Sequence, residues 1–491
     1  MKLKHLIYYF MLIYLLGACA TVPEEDSISM ERNPAIEPDY SAITIPFNIA
    51  PLNFFVEEKG DAFFVVVEGA NGSSLTASSK NGKIQFNEKK WKKLLEQNRS
   101  RQLVYTVYTE NDDEWRKFQS FNQTVTDAGV DPFLYYRLLH PGYESWTEIS
   151  IVQRNLSSFQ EKTVVENNVL EQNCVNCHSF TNQNTEKFLF HVRGSHGGTY
   201  FWDNGELQKV NLKTKEMENG AVYPRWHPSG NFVAFSSNKV VQQFHAAESK
   251  KIEVSDLNSS LVMYDTQTNE MMDVPVGNDG QFMDTYPEWS PDGKYLYFCR
   301  AAQIGEEYDY RDIKYNLCRV SFQPETRKFG ETELVFDASA ENSSVSFPRI
   351  SPDGKSLVFT LHDYGCFPIW HKEADLYSVD LADFSVSEME NVNSDFTESY
   401  HSWSSNGRWL MYSSKRGDGL SARPYIAWVD ENGIAGKPFV VPQEDPLFYS
   451  RFIKTFNIPE FATTEISFTP GQLRRTAESQ ALQAQWAEIE K

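Results

Sequence analysis

Between residues 40 and 170 apolar positions recur in short runs with a two-residue period: Phe54–Val56, Phe63–Val67, Leu103–Tyr108, Leu134–Leu138 and Ile149–Val152. Successive side chains on a strand point to opposite faces, so these runs predict half-buried strands. Lys89–Gln97 breaks the alternation and predicts one short helix. A β-sandwich-like N-terminal domain over 40–170 accounts for the pattern, with Trp115, Phe118 and Trp146 in its core. Further along, four apolar strands follow tight turns: Phe232–Phe235, Tyr295–Phe298, Leu357–Phe359 and Trp409–Tyr412. The end of the chain, Gly471–Lys491, is polar with Leu473, Ala477, Ala481, Ala484 and Trp486 interspersed, which predicts a surface helix within an extension over 446–491.

The turns before those four strands repeat. Tyr223-Pro-Arg-Trp-His-Pro-Ser-Gly230, Tyr286-Pro-Glu-Trp-Ser-Pro-Asp-Gly293, Phe347-Pro-Arg-Ile-Ser-Pro-Asp-Gly354 and Tyr400-His-Ser-Trp-Ser-Ser-Asn-Gly407 align without gaps. Each closes on a glycine, which supplies the positive φ of a two-strand turn. Glycine spacings of 63, 61 and 53 residues leave room for an insertion in every repeat. The motif resembles the repeat of TolB-like β-propellers and implies such a propeller over 187–445. Lys187–Arg193 matches Lys294–Arg300 in pattern and adds a degenerate fifth copy. The fold expected is therefore all-β: about five blades, six if Phe448–Ile458 contributes one. The inserted loops Ser237–Glu253, Ala301–Tyr315, Leu361–Ala374 and Ser414–Pro424 should share one face of the disc with Tyr223, Tyr286, Phe347 and Tyr400.

Candidate chemistry centres on Cys174-Val175-Asn176-Cys177-His178 within a segment over 171–186. Two thiols at this spacing can each bond one vinyl group of a porphyrin, and the adjacent imidazole becomes the proximal iron ligand. Chance would give roughly 0.0015 such pentads in a chain of this composition. A zinc site would need a second Cys or His pair at ligand spacing, and the chain has neither. One covalent haem c is expected, bound through Cys174 and Cys177 with His178 on the iron. On the loop-bearing face, His245, His196 and His191 are the candidates for the second axial position; His227 falls beside a turn on the far face, and Met271 and Met272 read as packing. Tyr308, Tyr310, Arg311, Phe367, Trp370, His371, Lys415, Arg416 and Arg423 lie in the loops and either form a pocket over the haem or shield the macrocycle, the arginines pairing with its propionates or with local acids.

The N-terminus fits export. Lys2, Lys4 and His5 precede the apolar run Leu6–Leu16, too short to span a bilayer. Leu16-Gly17-Ala18-Cys19 resembles a bacterial lipobox, which implies a signal peptide over 1–18, lipidation of Cys19 by palmitate-type chains, and a linker over 19–39. With no Asp directly after Cys19, outer-membrane anchoring on the periplasmic side is expected. Removing residues 1–18 with their two lysines takes the net charge from −21 to −23, a surface unsuited to nucleic acid. Among the remaining cysteines, Cys299 and Cys318 lie on successive strands and are either a cross-strand disulfide or separate buried thiols; Cys366 is the third.

Together the motifs resemble Bacteroidetes-type outer-membrane lipoproteins that join a Cys-x-x-Cys-His segment to a TolB-like propeller. The function expected is a membrane-anchored monohaem c-type cytochrome transferring electrons with an envelope protein partner. The alternative is a propeller-based interaction module with a structural or sensory haem. A propeller-associated hydrolase is set aside because no Gly-x-Ser-x-Gly elbow occurs.

Overall fold

The computed structural model describes residues 27–143, 148–245, 250, 252–277, 280–305 and 307–487. The signal peptide 1–18, Cys19 and Trp146 lie outside the described residues.

In the N-terminal unit, Ala62–Gly69 pairs antiparallel with Ser74–Ser79 and with Arg101–Asn111. Arg101–Asn111 continues to Glu114–Lys117 and Phe121–Thr126 within a seven-stranded sheet. Ile36–Glu37, Phe54–Val56 and Lys83–Ile84 form a second, three-stranded sheet. Helix Glu88–Gln97 starts where the Asn87 side chain accepts from the Lys90 N–H. Its spacing buries Trp91, Leu94 and Leu95 in the core shared with the strands.

This unit ends near Thr126, not residue 170. Phe133–Leu139 and Ser150–Asn155, which hold the runs expected as sandwich strands, instead form a sheet with Glu161–Glu166 and Thr455–Ala462. Alternation cannot separate the two outcomes, because a sandwich strand and a blade strand have the same period. Among the described residues the rest of the chain makes six such sheets. In chain order their innermost strands are Cys174–Thr181 (blade 1), Ala221–Trp226 (blade 2), Phe282–Trp289 (blade 3), Ser344–Ile350 (blade 4), Glu398–Trp403 (blade 5) and Thr455–Ala462 (blade 6). The higher of the two expected blade counts applies, and blade 6 takes its inner strand from one end of the propeller and its outer three from the other.

The expected C-terminal helix is short, Pro470–Glu478, and Thr469 caps it with a reciprocal Gln472 bond. Beyond it the described residues, to 487, are not helical. Leu482–Gln483 and Gln485–Trp486 add parallel fifth strands to blades 1 and 2, so exposed edges take the polar residues that looked like a tail.

One core joins the N-terminal unit to blades 5 and 6, running from Tyr40, Phe54 and Trp91 through Trp409 and Phe439 to Phe456 and Phe461. Phe456 is 2% exposed and lies against Tyr136 at a ring separation of 4.8 Å. Phe456→Ala should therefore cost about 3–5 kcal/mol in urea unfolding. A loss below about 1 kcal/mol would mean that this closure does not limit stability.

Candidate functional site

Each innermost strand carries a bulge at the same register, where pairing with its neighbour shifts by a residue. The residues there are Cys177, Tyr223, Tyr286, Phe347, Tyr400 and Ile458, all with φ between 47° and 58°. Left-handed backbone is costly for bulky side chains, so six occurrences at one register mark a built feature. The six side chains form one ring around the channel, lining its upper cavity. Below them the next residue in each blade is His178, Pro224, Pro287, Pro348, His401 and Pro459. Then come Ser179, Arg225, Glu288, Arg349, Ser402 and Glu460, and last Phe180, Trp226, Trp289, Ile350, Trp403 and Phe461. Cys177-His178-Ser179-Phe180 is thus blade 1's own copy of the repeat that reads Tyr-Pro-Arg-Trp in blade 2. The pentad was expected to precede blade 1; it lies inside it.

The upper cavity holds about 200 Å³. Arg137, Arg193 and Lys415 supply cationic groups to its lining, and Phe367, Ile369, Trp370 and Leu420 come from the inserted loops. Val240 and Gln242 reach it from the long hairpin of blade 2. Three of the four inserted loops therefore reach the cavity carrying Cys177, and Ala301–Tyr315 contributes no residue to its lining. Asn176 lines the cavity too, accepting from Arg137 and donating to Cys174 Sγ at 2.9 Å. Cys174 itself packs into a core with Leu139, Ile149 and Leu170.

His178 is 4% exposed, and the polar groups that face its ring are the Ile458 backbone and Glu460. Glu460 Oε2 stands 3.6 Å from Nε2. Burial, reinforced by the Arg137 and Arg225 charges, lowers the pKa of the imidazole from 6.5 to about 3. At neutral pH it is an uncharged ring with an available lone pair, the state in which imidazole binds metal.

None of the three candidates for the second axial position lines this cavity. His196 bonds the Ala477 carbonyl (3.0 Å) and Glu171 (3.1 Å) at the outer helix. His191 faces Thr199 Oγ1 at 3.2 Å within blade 1, and His245 ends the blade 2 hairpin, 6.4 Å from the Tyr310 ring. Among the described residues the histidine in the lining is His140, with Nε2 2.8 Å from Glu148. Residue 140 looked like part of a separate domain, and only closure of the ring brings it to Cys177. Of the other loop residues, Arg416 pairs with Glu398 and Arg423 donates to the carbonyls of Tyr449, Phe452 and Lys454. His227 bonds the Gly293 carbonyl at a lower turn, and Met271 and Met272 are core.

Cys299 and Cys318 are separate thiols. Phe298 pairs with Cys318 and Cys299 with Leu317, so the two sulfurs sit on opposite faces of one sheet and in different cores. Burial raises both thiol pKa values.

His401 occupies in blade 5 the position His178 holds in blade 1. Its Nε2 lies 2.8 Å from the Val358 carbonyl, and burial with the Arg349 and Arg225 charges lowers its pKa to about 3. A histidine neutral in the fold but titrating near 6.5 when unfolded costs stability as pH falls between those values, by about 1.4 kcal/mol per unit for one proton. His401→Gln keeps a donor toward Val358 and removes the titration. In urea unfolding its stability should fall less steeply than the parent's below about pH 6.5; parallel profiles would show that His401 does not stay neutral.

No protein-family model matches the chain, and no curated protein does. Among solved structures, TolB from Acinetobacter baumannii is 14% identical, with 77% of this chain and 86% of that chain covered at a TM-score of 0.45. The β-propeller domain of the Trilobed protease from Pyrococcus furiosus is 10% identical over 70% and 95%, at a TM-score of 0.33. Prolyl oligopeptidase B from Galerina marginata is 11% identical over 69% and 42%, at 0.35. The assignment of an all-β propeller rests on the order of its own sheets.

Proposed function

We propose that the chain is a monohaem c-type cytochrome whose propeller carries the haem at the upper mouth of its channel for electron transfer in the cell envelope. The observation that carries this reading is the coincidence of Cys177-His178 with the bulged register of blade 1. One thiol lines an aromatic cavity, and the next residue is a buried neutral imidazole facing the Ile458 backbone and Glu460. The donor types match those of a haem c site: Cys174 and Cys177 would form the thioethers and His178 would hold the iron, with Arg137, Arg193 and Lys415 near for the carboxylates. Of the three donors Cys177 lines the cavity, and Cys174 would have to turn out of the adjacent core. Bound there, the haem supplies a one-electron couple.

The chain's own residues fix that site. The Cys177 bulge sets the thiol toward the cavity, and burial keeps His178 deprotonated. At about 200 Å³ the cavity is below the ~300–1,000 Å³ usual for small-molecule sites, so the loops carrying Trp370 and Leu420 must yield to a porphyrin. His140, which lines the cavity and whose Nε2 lies 2.8 Å from Glu148, would be the further residue to hold the iron. The burial of Cys174 (7%) and Cys177 (8%) favours a second reading, an interaction module whose shielded haem is structural or sensory.

Expression with a c-type maturation system should yield one covalent haem per chain by mass spectrometry, and Cys174→Ala with Cys177→Ala should abolish it. An unmodified mass for the parent protein after competent maturation would end the haem reading. In the matured protein, His140→Ala should turn a low-spin spectrum high-spin, whereas His191→Ala, His196→Ala and His245→Ala should not. A low-spin spectrum that survives in the His140 variant removes that ligand while leaving the attachment intact.

The same reading anchors the protein to the outer membrane through acylated Cys19, on the periplasmic side. Cys19→Ser should leave unacylated protein in the soluble fraction or unprocessed precursor. Unchanged acylation and membrane partition would contradict it.

A further inference from the structure

The lower mouth of the channel is a second cavity, of about 360 Å³, to which all six blades contribute. That volume lies within the ~300–1,000 Å³ range of small-molecule sites. Apolar and aromatic side chains, Phe180, Trp226, Trp289, Ile350, Trp403 and Phe461, line it among a larger share of polar surface. Its inner end is the charged layer of Arg225, Glu288, Arg349 and Glu460.

Those four charges balance in number but not in contact. Arg225 is held on two sides: Glu288 at 2.5 and 3.2 Å, and Glu460 at 2.9 Å. Glu288 is thereby largely committed, and reaches Arg349 only at 3.5 Å. The remaining oxygen of Glu460 has His178 as its neighbour, at 3.6 Å. Arg349 is left under-compensated. It is 6% exposed, its Nε has no hydrogen-bond partner, and its Nη1 relies on the Pro348 carbonyl at 2.6 Å. Its guanidinium also stacks over Phe347 at 3.8 Å. Its carboxylate contact is a single long one, Nη1 to Glu288 Oε2 at 3.5 Å, where its planar fork could take a carboxylate in two bonds. Burial, with the neighbouring Arg225 charge, lowers its pKa to about 9.

We propose that the lower mouth binds a small carboxylate with an apolar body, the acid group meeting Arg349 and the body lying against the tryptophan wall. The rim favours a small molecule over a polypeptide end. Asn182 donates to the Pro228 carbonyl at 3.1 Å and Gln183 to the Trp403 carbonyl at 3.3 Å, tying turns of different blades across the opening. The site is separate from the upper cavity, shares no lining residue with it, and does not depend on haem.

Calorimetric titration of the full-length purified protein with 3-phenylpropionate, 3-phenylpropionamide and phenethylamine tests the proposal. The three probes share a body and differ in the head group. The acid should bind saturably, and the amide and the amine at least about tenfold more weakly, the usual worth of a charge-assisted hydrogen bond. Arg349→Gln should weaken acid binding by a similar factor, and circular dichroism should show whether that variant folds. If it does not fold, the probe series on the parent protein still decides. Equal binding of acid and amide, preference for the amine, or no saturable binding of the acid would each overturn the proposal, as would a folded Arg349→Gln protein that binds the acid normally.

Discussion

Antiparallel pairing of Thr455–Ala462 with Phe133–Leu139 closes the ring of blades, joining Leu134 to Phe461 across more than half the chain. Everything on the channel axis depends on it. Ile458, Pro459, Glu460 and Phe461 are the sixth members of four successive layers, and Asn457 accepts a bond from Arg137 in the wall of the upper cavity. Closing so long a loop costs entropy that only the non-local contacts offset. The structure supplies them in quantity: Tyr136 and Phe452 on Phe456, and the core continuous with the N-terminal unit. That unit is tied to the far end of the propeller by Lys83–Asp445 and Lys437–Asp39 ion pairs, each at a closest approach within hydrogen-bond distance.

Given a closed ring, one backbone irregularity per blade organises the channel. The left-handed residue turns its side chain to the axis, and four of its six occupants are aromatic rings in mutual contact, Tyr223–Tyr286 at 4.6 Å and Phe347–Tyr400 at 5.1 Å. Two blades depart from the aromatic rule, blade 1 with a thiol and blade 6 with Ile458, and two from the proline rule one residue later, blades 1 and 5 with His178 and His401. A cysteine fills less of the ring than a tyrosine, and a buried histidine costs desolvation that a proline does not.

The two mouths differ in what their polar groups lack. Above, a neutral imidazole and thiols stand beside cations. Below, a guanidinium has too little negative charge around it. Between them the Arg225–Glu288–Glu460 cluster holds the layers apart, since breaking one partner would leave a buried charge uncompensated.

The sequence by itself determined the repeating unit. Tyr-Pro-Arg-Trp and its three relatives, each ending on a glycine turn, carry their own local geometry and are visible without any neighbour. The Cys-x-x-Cys-His pentad is equally local, as is the period-two alternation of the strands. Tertiary structure decided what those units join. Leu134–Leu138 alternates whether it sits in a sandwich or a blade, so its partner strand more than 300 residues away assigned it to the propeller and brought His140 to Cys177. Ile458-Pro-Glu-Phe461 and Cys177-His-Ser-Phe180 have the repeat's proline or aromatic without its glycine turn, and only pairing shows them to be copies. Which histidine meets the cavity and which arginine is left under-compensated follow from ring closure, because contacts across the axis have no sequence spacing at all.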